Sequence, residues 1–191
     1  MPMENIKQQL SDVVHHWMII IMVTLFLFPV QPAEALTVKP APLTQAQLKQ
    51  EKLLKISTAK YSPKQQLEDK ELLFLLKAVG FQGEALKKAW SIVKRESNGR
   101  PLAYNGNRKT GDSSYGLFQI NMIDSLGERR LVLFKEKFNV TTKTELLDPV
   151  TNAEITYYMT NGGKDWSSWK GMTPRAKEWL KRFPTKLAKE A

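Results

Sequence analysis

Three dipeptides punctuate the chain: Ser62-Pro63, Asp148-Pro149 and Thr173-Pro174. Each joins a side chain able to accept from an unpaired helix N–H to a proline, whose missing N–H costs nothing in a first helical turn. Each therefore predicts a helix start. After Ser62-Pro63 the predicted helix carries Leu67, Leu72, Leu73, Leu75, Leu76 and Val79 and stops at Gly80. A second runs to about Ser97, with Leu86, Ala89, Trp90 and Val93 spaced i, i+3, i+4 and i+7. Asn98-Gly99 ends it, and Pro101 blocks its return. Asp148-Pro149 opens a helix through about Thr160, and Thr173-Pro174 opens the last, bearing Trp179, Leu180 and Phe183. Arg130 to Phe138 also reads as helical, and Thr44-x-x-Gln47 as a capping box before a helix to about Lys60. Between helices, Tyr104 to Ser114 is rich in turn residues and reads as a loop or small hairpin, and Gly116 to Asn121 has strand character. The expected fold class is mainly α with a small β element, α+β.

The 191 residues are 42% hydrophobic and 25% charged, enough apolar material for a real core. Cysteine is absent, and the two histidines, His15 and His16, precede the main domain. Thiolate nucleophiles, disulfides, Cys- or His-ligated zinc and a Ser-His-Asp triad are therefore excluded from that domain. Acid–base chemistry there must rest on carboxylates, lysines or tyrosines, and no metal or cofactor is expected. The net charge of +10 suits an anionic partner: nucleic acid, an acidic membrane surface or the acidic polymers of a bacterial envelope.

Trp17 to Val30 is an almost unbroken apolar run of 14 residues, followed by small residues at Ala33 and Ala35. This matches a signal-peptide core with a cleavage site, over residues 1–35. Extended back to Val13 the run has 18 residues, so 13–30 read alternatively as an uncleaved membrane anchor. Residues 1–35 hold Lys7 against Glu4, Asp12 and Glu34, a net −2, so the rest of the chain carries +12. Residues 36–61 read as a Pro-containing linker and a spacer or docking helix, 62–183 as the main domain and 184–191 as a basic tail.

The stripe Ala89, Trp90, Val93 leads next to Glu96. Apolar neighbours and the negative end of a helix dipole both raise a carboxyl's pKa, which suits a general acid. The plainer reading is a Glu at a frayed helix end, turned to water or paired with Arg95 or Arg100.

Taken in order, ESNGRPLAYNGN, GDSSYGLFQIN, LLDPVTNAEITYYM and DWSSW resemble the lysozyme-like superfamily. The likeness is greatest to its soluble-lytic-transglycosylase branch, as found in phage and bacterial wall-degrading proteins. The resemblance covers residues 62–170. It implies a lysozyme-like fold and cleavage of the β-1,4 bond between N-acetylmuramic acid and N-acetylglucosamine in peptidoglycan. It makes Glu96 the catalytic acid, with Ser97 beside it. Gly116, Leu117, Phe118 and Gln119 match the family's G-L-x-Q run lining the sugar cleft. Gln119 and Asn121 would bond to the sugars. Tyr115 and Tyr157 stand between core and cleft roles; Trp166 and Trp169 either stack on sugars or pack a lobe.

Animal-type lysozymes carry an Asp directly before this Tyr-Gly; here the residue is Ser114, and the nearest acid is Asp112. If Asp112 faces the cleft, a two-carboxylate hydrolase is possible, and the separation of the pair would decide retention or inversion. If not, Glu96 works alone with the substrate's N-acetyl group, the lytic transglycosylase route that the resemblance implies. The expected partner is a peptidoglycan glycan strand, met by a monomer exported to the envelope, anchored there, or carried by a phage particle. Nucleic acid is not expected, since no binding motif accompanies the charge. A non-catalytic wall-binding or virion module is the rival to an enzyme.

Overall fold

The computed structural model describes residues 42–190. The apolar segment and its signal or anchor reading lie outside the described residues. Among those described, no helix is long and apolar enough to cross a membrane. Seven α-helices are described: α1 Gln45–Thr58, α2 Asp69–Val79, α3 Gly83–Glu96, α4 Asp124–Phe138, α5 Pro149–Met159, α6 Pro174–Lys181 and α7 Thr185–Glu190. Between α3 and α4 lies an antiparallel sheet of three two-residue strands, β1 Tyr104–Asn105, β2 Ser114–Tyr115 and β3 Ile120–Asn121. Tyr104 faces Tyr115 in one pair, and Ser114 faces Asn121 in the other. The class is α+β, as expected.

The capping signals act as read at three of four places. Thr44 and Gln47 form the reciprocal box of α1, Asp148 accepts from the Thr151 N–H at 2.7 Å, and Thr173 caps α6. Ser62-Pro63 does not open a helix. It makes a turn, with the Gln65 N–H on the Ser62 carbonyl. The Leu67 N–H is instead spent on the Gly99 carbonyl at 2.8 Å, pinning this segment to the end of α3. The helix starts at Asp69, where Glu71 accepts from the Glu68 N–H. Helix α4 starts at Asp124, earlier than the pattern predicted. Glycine is costly inside a helix, but a Cβ at Gly127 would lie 2.1 Å from the Met122 carbonyl oxygen, so the close approach requires it.

α2 is the centre. It packs against α1, α3, α5 and α7, and Leu72, Leu73, Leu75 and Leu76 are fully buried. Packing of this kind contributes about 1.5–3 kcal/mol per large side chain buried. An aromatic cluster extends the core: Phe81 meets Tyr157 edge-on at 5.0 Å and stacks on Trp166 at 6.0 Å, and Trp166 meets Trp169 at 5.7 Å. The indole N–H groups of Trp166 and Trp169 donate to the Gly163 and Phe118 carbonyls. Both tryptophans therefore pack the lobe, although Trp169 also lends an edge to the cleft below. α3 and α6 form the other wall, with Trp90 against Trp179 and Phe183.

Candidate functional site

Helix α3 runs out of the core at its last turn. Val93 is fully buried, whereas the Glu96 side chain keeps 26% of its exposure. The stripe has reached a polar cleft of about 550 Å³, bounded by α3, the small sheet and the 168–173 segment. Glu96, Asp112, Ser114, Gln119 and Asn121 all line it.

The apolar surroundings expected for Glu96 are replaced by a guanidinium. Arg95 donates from Nε to Glu96 Oε1 at 2.8 Å, and Nη2 donates to the same oxygen. Both bonds fall on Oε1, and Oε2 takes neither. Nη2 also donates to the Trp169 carbonyl at 2.9 Å, while Nη1 donates to the Gly171 carbonyl and to Thr173 Oγ1 at 3.0 Å. The Arg95 side chain is only 9% exposed. One guanidinium thus ties the carboxyl to the segment that forms the opposite wall. The Arg95 pairing held open in the sequence is real, and it coexists with a place in the cleft.

Asp112 stands across the cleft in the turn before β2. Its Oδ2 accepts from Thr110 Oγ1 at 2.9 Å, and its N–H bonds the Asn107 carbonyl. Ser114, at the position where animal-type lysozymes hold an acid, is buried and lines the same cleft. Gln119 has φ +51, and its amide donates to the Ala103 and Gly116 carbonyls, both at 3.0 Å. Asn121 is similarly occupied: Oδ1 accepts from the Ser113 and Ile123 N–H groups, and Nδ2 donates to the Gly111 carbonyl. These two side chains shape the floor as well as line it.

Four other expected site residues are not among those lining the cleft. Ser97 is buried, with Oγ donating to the Val93 carbonyl and accepting from the Gly99 N–H, so it ends the helix. Gly116 has φ +74 and sits where a Cβ would be 2.3 Å from the Leu146 carbonyl oxygen. Tyr115 packs on Tyr104 at 4.9 Å. Tyr157 packs on Phe81 and against Gly80, because its helix turns that face to the core.

Two residues outside the expected set of site residues organise the site. Asn152, wholly buried in α5, donates to the Tyr115 and Leu146 carbonyls and accepts from the Phe118 N–H at 2.9 Å. It joins three segments under the cleft. TNAEIT offers little signal for it, since Asn152 there is flanked by Thr151, Ala153 and Glu154 and a solvated reading was equally open. Arg95 is the other. Among the described residues no group of His, Cys, Asp and Glu is arranged to hold a metal ion.

No curated protein and no solved structure matches the chain. Residues 75–171, just over half of the chain and spanning the whole cleft except Thr173, match the model of the lysozyme-like domain, and the protein belongs to that family.

Proposed function

We propose that the protein cleaves the β-1,4 bond between N-acetylmuramic acid and N-acetylglucosamine in peptidoglycan, by the lytic transglycosylase route, with Glu96 as acid and then base. Family membership implies glycan cleavage in peptidoglycan. The observation that carries the finer reading is the partner position: Glu96 lines the cleft with Oε1 held by Arg95, while a hydroxyl, Ser114, stands where a partner acid would be.

In this route the reactive form of Glu96 carries its proton on Oε2, the oxygen Arg95 does not hold, and gives it to the glycosidic oxygen as the bond to muramic acid C1 breaks. The substrate's N-acetyl oxygen bonds to C1 and disperses the developing charge. Glu96, now ionised, takes the proton of the muramic acid 6-hydroxyl. That oxygen attacks C1 and expels the acetamido oxygen, leaving a 1,6-anhydro sugar and a restored acid. No water is consumed. The reaction belongs on the exported side of a membrane, and the apolar run 17–30 supports a route there.

One observation favours a second reading. Asp112 lines the same cleft as Glu96, so hydrolysis with two carboxylates would yield reducing ends. Digestion of purified sacculi, with analysis of the soluble muropeptides, decides. Anhydro ends are expected, and reducing ends would assign hydrolysis and a role for Asp112. Binding without release of fragments would make the domain a wall-binding module. Glu96→Gln is expected to lose about 10²–10⁴-fold in rate while staying folded. Full activity in that variant removes Glu96 from the chemistry.

A further inference from the structure

Beyond Gln119 and Asn121 the cleft opens into a smaller pocket of about 160 Å³, which shares Gln119, Asn121, Ser168 and Trp169 with it. Its one charged lining residue is Arg130, in the second turn of α4. The side chain is half-buried, and Nη1 donates to the Asn121 carbonyl, which holds the guanidinium beside β3. No carboxylate pairs with it among the described residues, where the ion pairs involve Lys87, Lys94, Arg95, Lys137 and Lys181.

Arg130 thus differs from Arg95. Arg95 is also partly buried, but Glu96 balances its charge. Arg130 has lost part of its hydration with no counter-charge in return, and burial alone depresses its hold on its proton. Removing water from a charge costs free energy unless a partner replaces it. Among the described residues no buried side-chain nitrogen lacks a partner, so the guanidinium nitrogens that make no bond keep some exposure, and Arg130 lines the pocket. Guanidinium has five donors in a planar fork, which matches a carboxylate two bonds at a time.

We propose that Arg130 forms an anionic subsite that takes a carboxylate of the bound glycan, so that the cleft selects acidic strands over neutral ones. This rests on the reading that a peptidoglycan strand occupies the cleft. Such a strand offers carboxylates from two sources. One is the lactyl ether of muramic acid, free when the stem peptide has been removed; the other is the stem peptide itself.

The test is calorimetric binding to the Glu96→Gln protein, so that cleavage does not intrude. Four probes are used: a neutral N-acetylglucosamine oligomer, a strand stripped of peptide by an amidase, a peptide-bearing strand, and that strand with its carboxylates amidated. A charge-assisted bidentate contact predicts at least about tenfold tighter binding of one acidic probe than of the neutral oligomer. If the stripped strand is favoured, the lactyl group is the ligand; if amidation removes the preference, the stem peptide is. Adding Arg130→Gln should collapse the preference, and Arg130→Lys should retain part of it. The second arm matters because the net charge of +10 favours any acidic probe weakly, whichever residue is changed. Equal binding of neutral and acidic probes, or a preference that survives Arg130→Gln, overturns the proposal. If Arg130→Gln does not unfold cooperatively, Arg130→Lys decides: an undiminished preference overturns the subsite and a reduced one supports it. Sacculi left intact by the wild-type protein would count against the proposed reaction alone, because the binding comparison does not depend on turnover.

Discussion

Arg95 joins Glu96 to the far wall, and the strength of that joint can be worked out. Arg95→Met keeps much of the side chain's length and apolar stem, and removes the bonds to Glu96 Oε1, the Trp169 and Gly171 carbonyls and Thr173 Oγ1. Losing one partner of a buried ion pair costs about 3–5 kcal/mol. Glu96 keeps 26% exposure, so water can take up part of the lost solvation, and the low end applies to the whole substitution. The expected loss is about 3 kcal/mol, or roughly 6–12 °C in Tm for a domain of this size. A double-mutant cycle then divides it. In the Glu96→Gln background no charge is left to pair, so Arg95→Met should cost only the carbonyl and hydroxyl bonds, about 1–2 kcal/mol. Urea unfolding of the four proteins measures each term. An equal loss in both backgrounds would mean that the pair with Glu96 contributes nothing and that Arg95 serves only the 169–173 segment. A loss below about 0.5 kcal/mol in the wild-type background, the size of an ordinary surface change, would refute the joint altogether.

Other changes probe the supports of the cleft. Asn152→Ala would strand the Tyr115 and Leu146 carbonyls and the Phe118 N–H in a dry interior, at a cost of about 3 kcal/mol or more in urea unfolding. Gly127→Ala must push α4 away from the Met122 carbonyl, which its Cβ would meet at 2.1 Å; a fall in Tm is expected, larger than for Ala at an exposed helical position such as Glu128. Tyr61, bonded to the Ile56 carbonyl, has its hydroxyl pushed up to about 12 by burial, with Glu71 and Asp148 adding to the effect. Its folded value exceeds the unfolded one of about 10, so stability is unaffected below about pH 10 and falls as pH rises toward about 12. Tyr61→Phe should remove the last component of the tyrosinate absorbance titration and soften that fall.

The parts of the fold legible beforehand were those whose cause is local. Asp148-Pro149 and Thr173-Pro174 carry acceptor and proline within two residues, and both open helices. Ser62-Pro63 has the same local chemistry and fails, because its outcome is decided from a distance: the Gly99 carbonyl takes the Leu67 N–H that an early helix would have needed. Gly127 shows the converse. Its local cost in a helix was visible, but the nearby Met122 carbonyl that requires it was not. Asn152 carries no local sign of the three segments it joins, since bonds to residues 115, 118 and 146 exist only after the chain has closed.

Glu96 combines both kinds of cause. That the apolar stripe of α3 ends in a carboxylate was visible from spacing alone, and the cleft is where that stripe leads. What surrounds the carboxylate was harder to foresee, because successive helical residues point about 100° apart and do not normally face each other. The contact forms at the final residue of the helix, where no further turn follows to separate the two side chains. There the Trp169 and Gly171 carbonyls and Thr173 hold the guanidinium that grips Glu96. The aim of the carboxylate therefore depends on a segment more than 70 residues away, through a neighbour directly before it in sequence. Changes in residues 169–173 that loosen Arg95 should accordingly lower kcat without any of them touching the scissile bond. Thr173→Val is the sharpest of these: it keeps the shape and removes the Oγ1 acceptor, together with the weak cap of α6 at 3.4 Å, so kcat is compared at a temperature where both proteins are fully folded. It should lower kcat several-fold with KM little changed, and an unchanged kcat would show that Glu96 is aimed by its own helix alone.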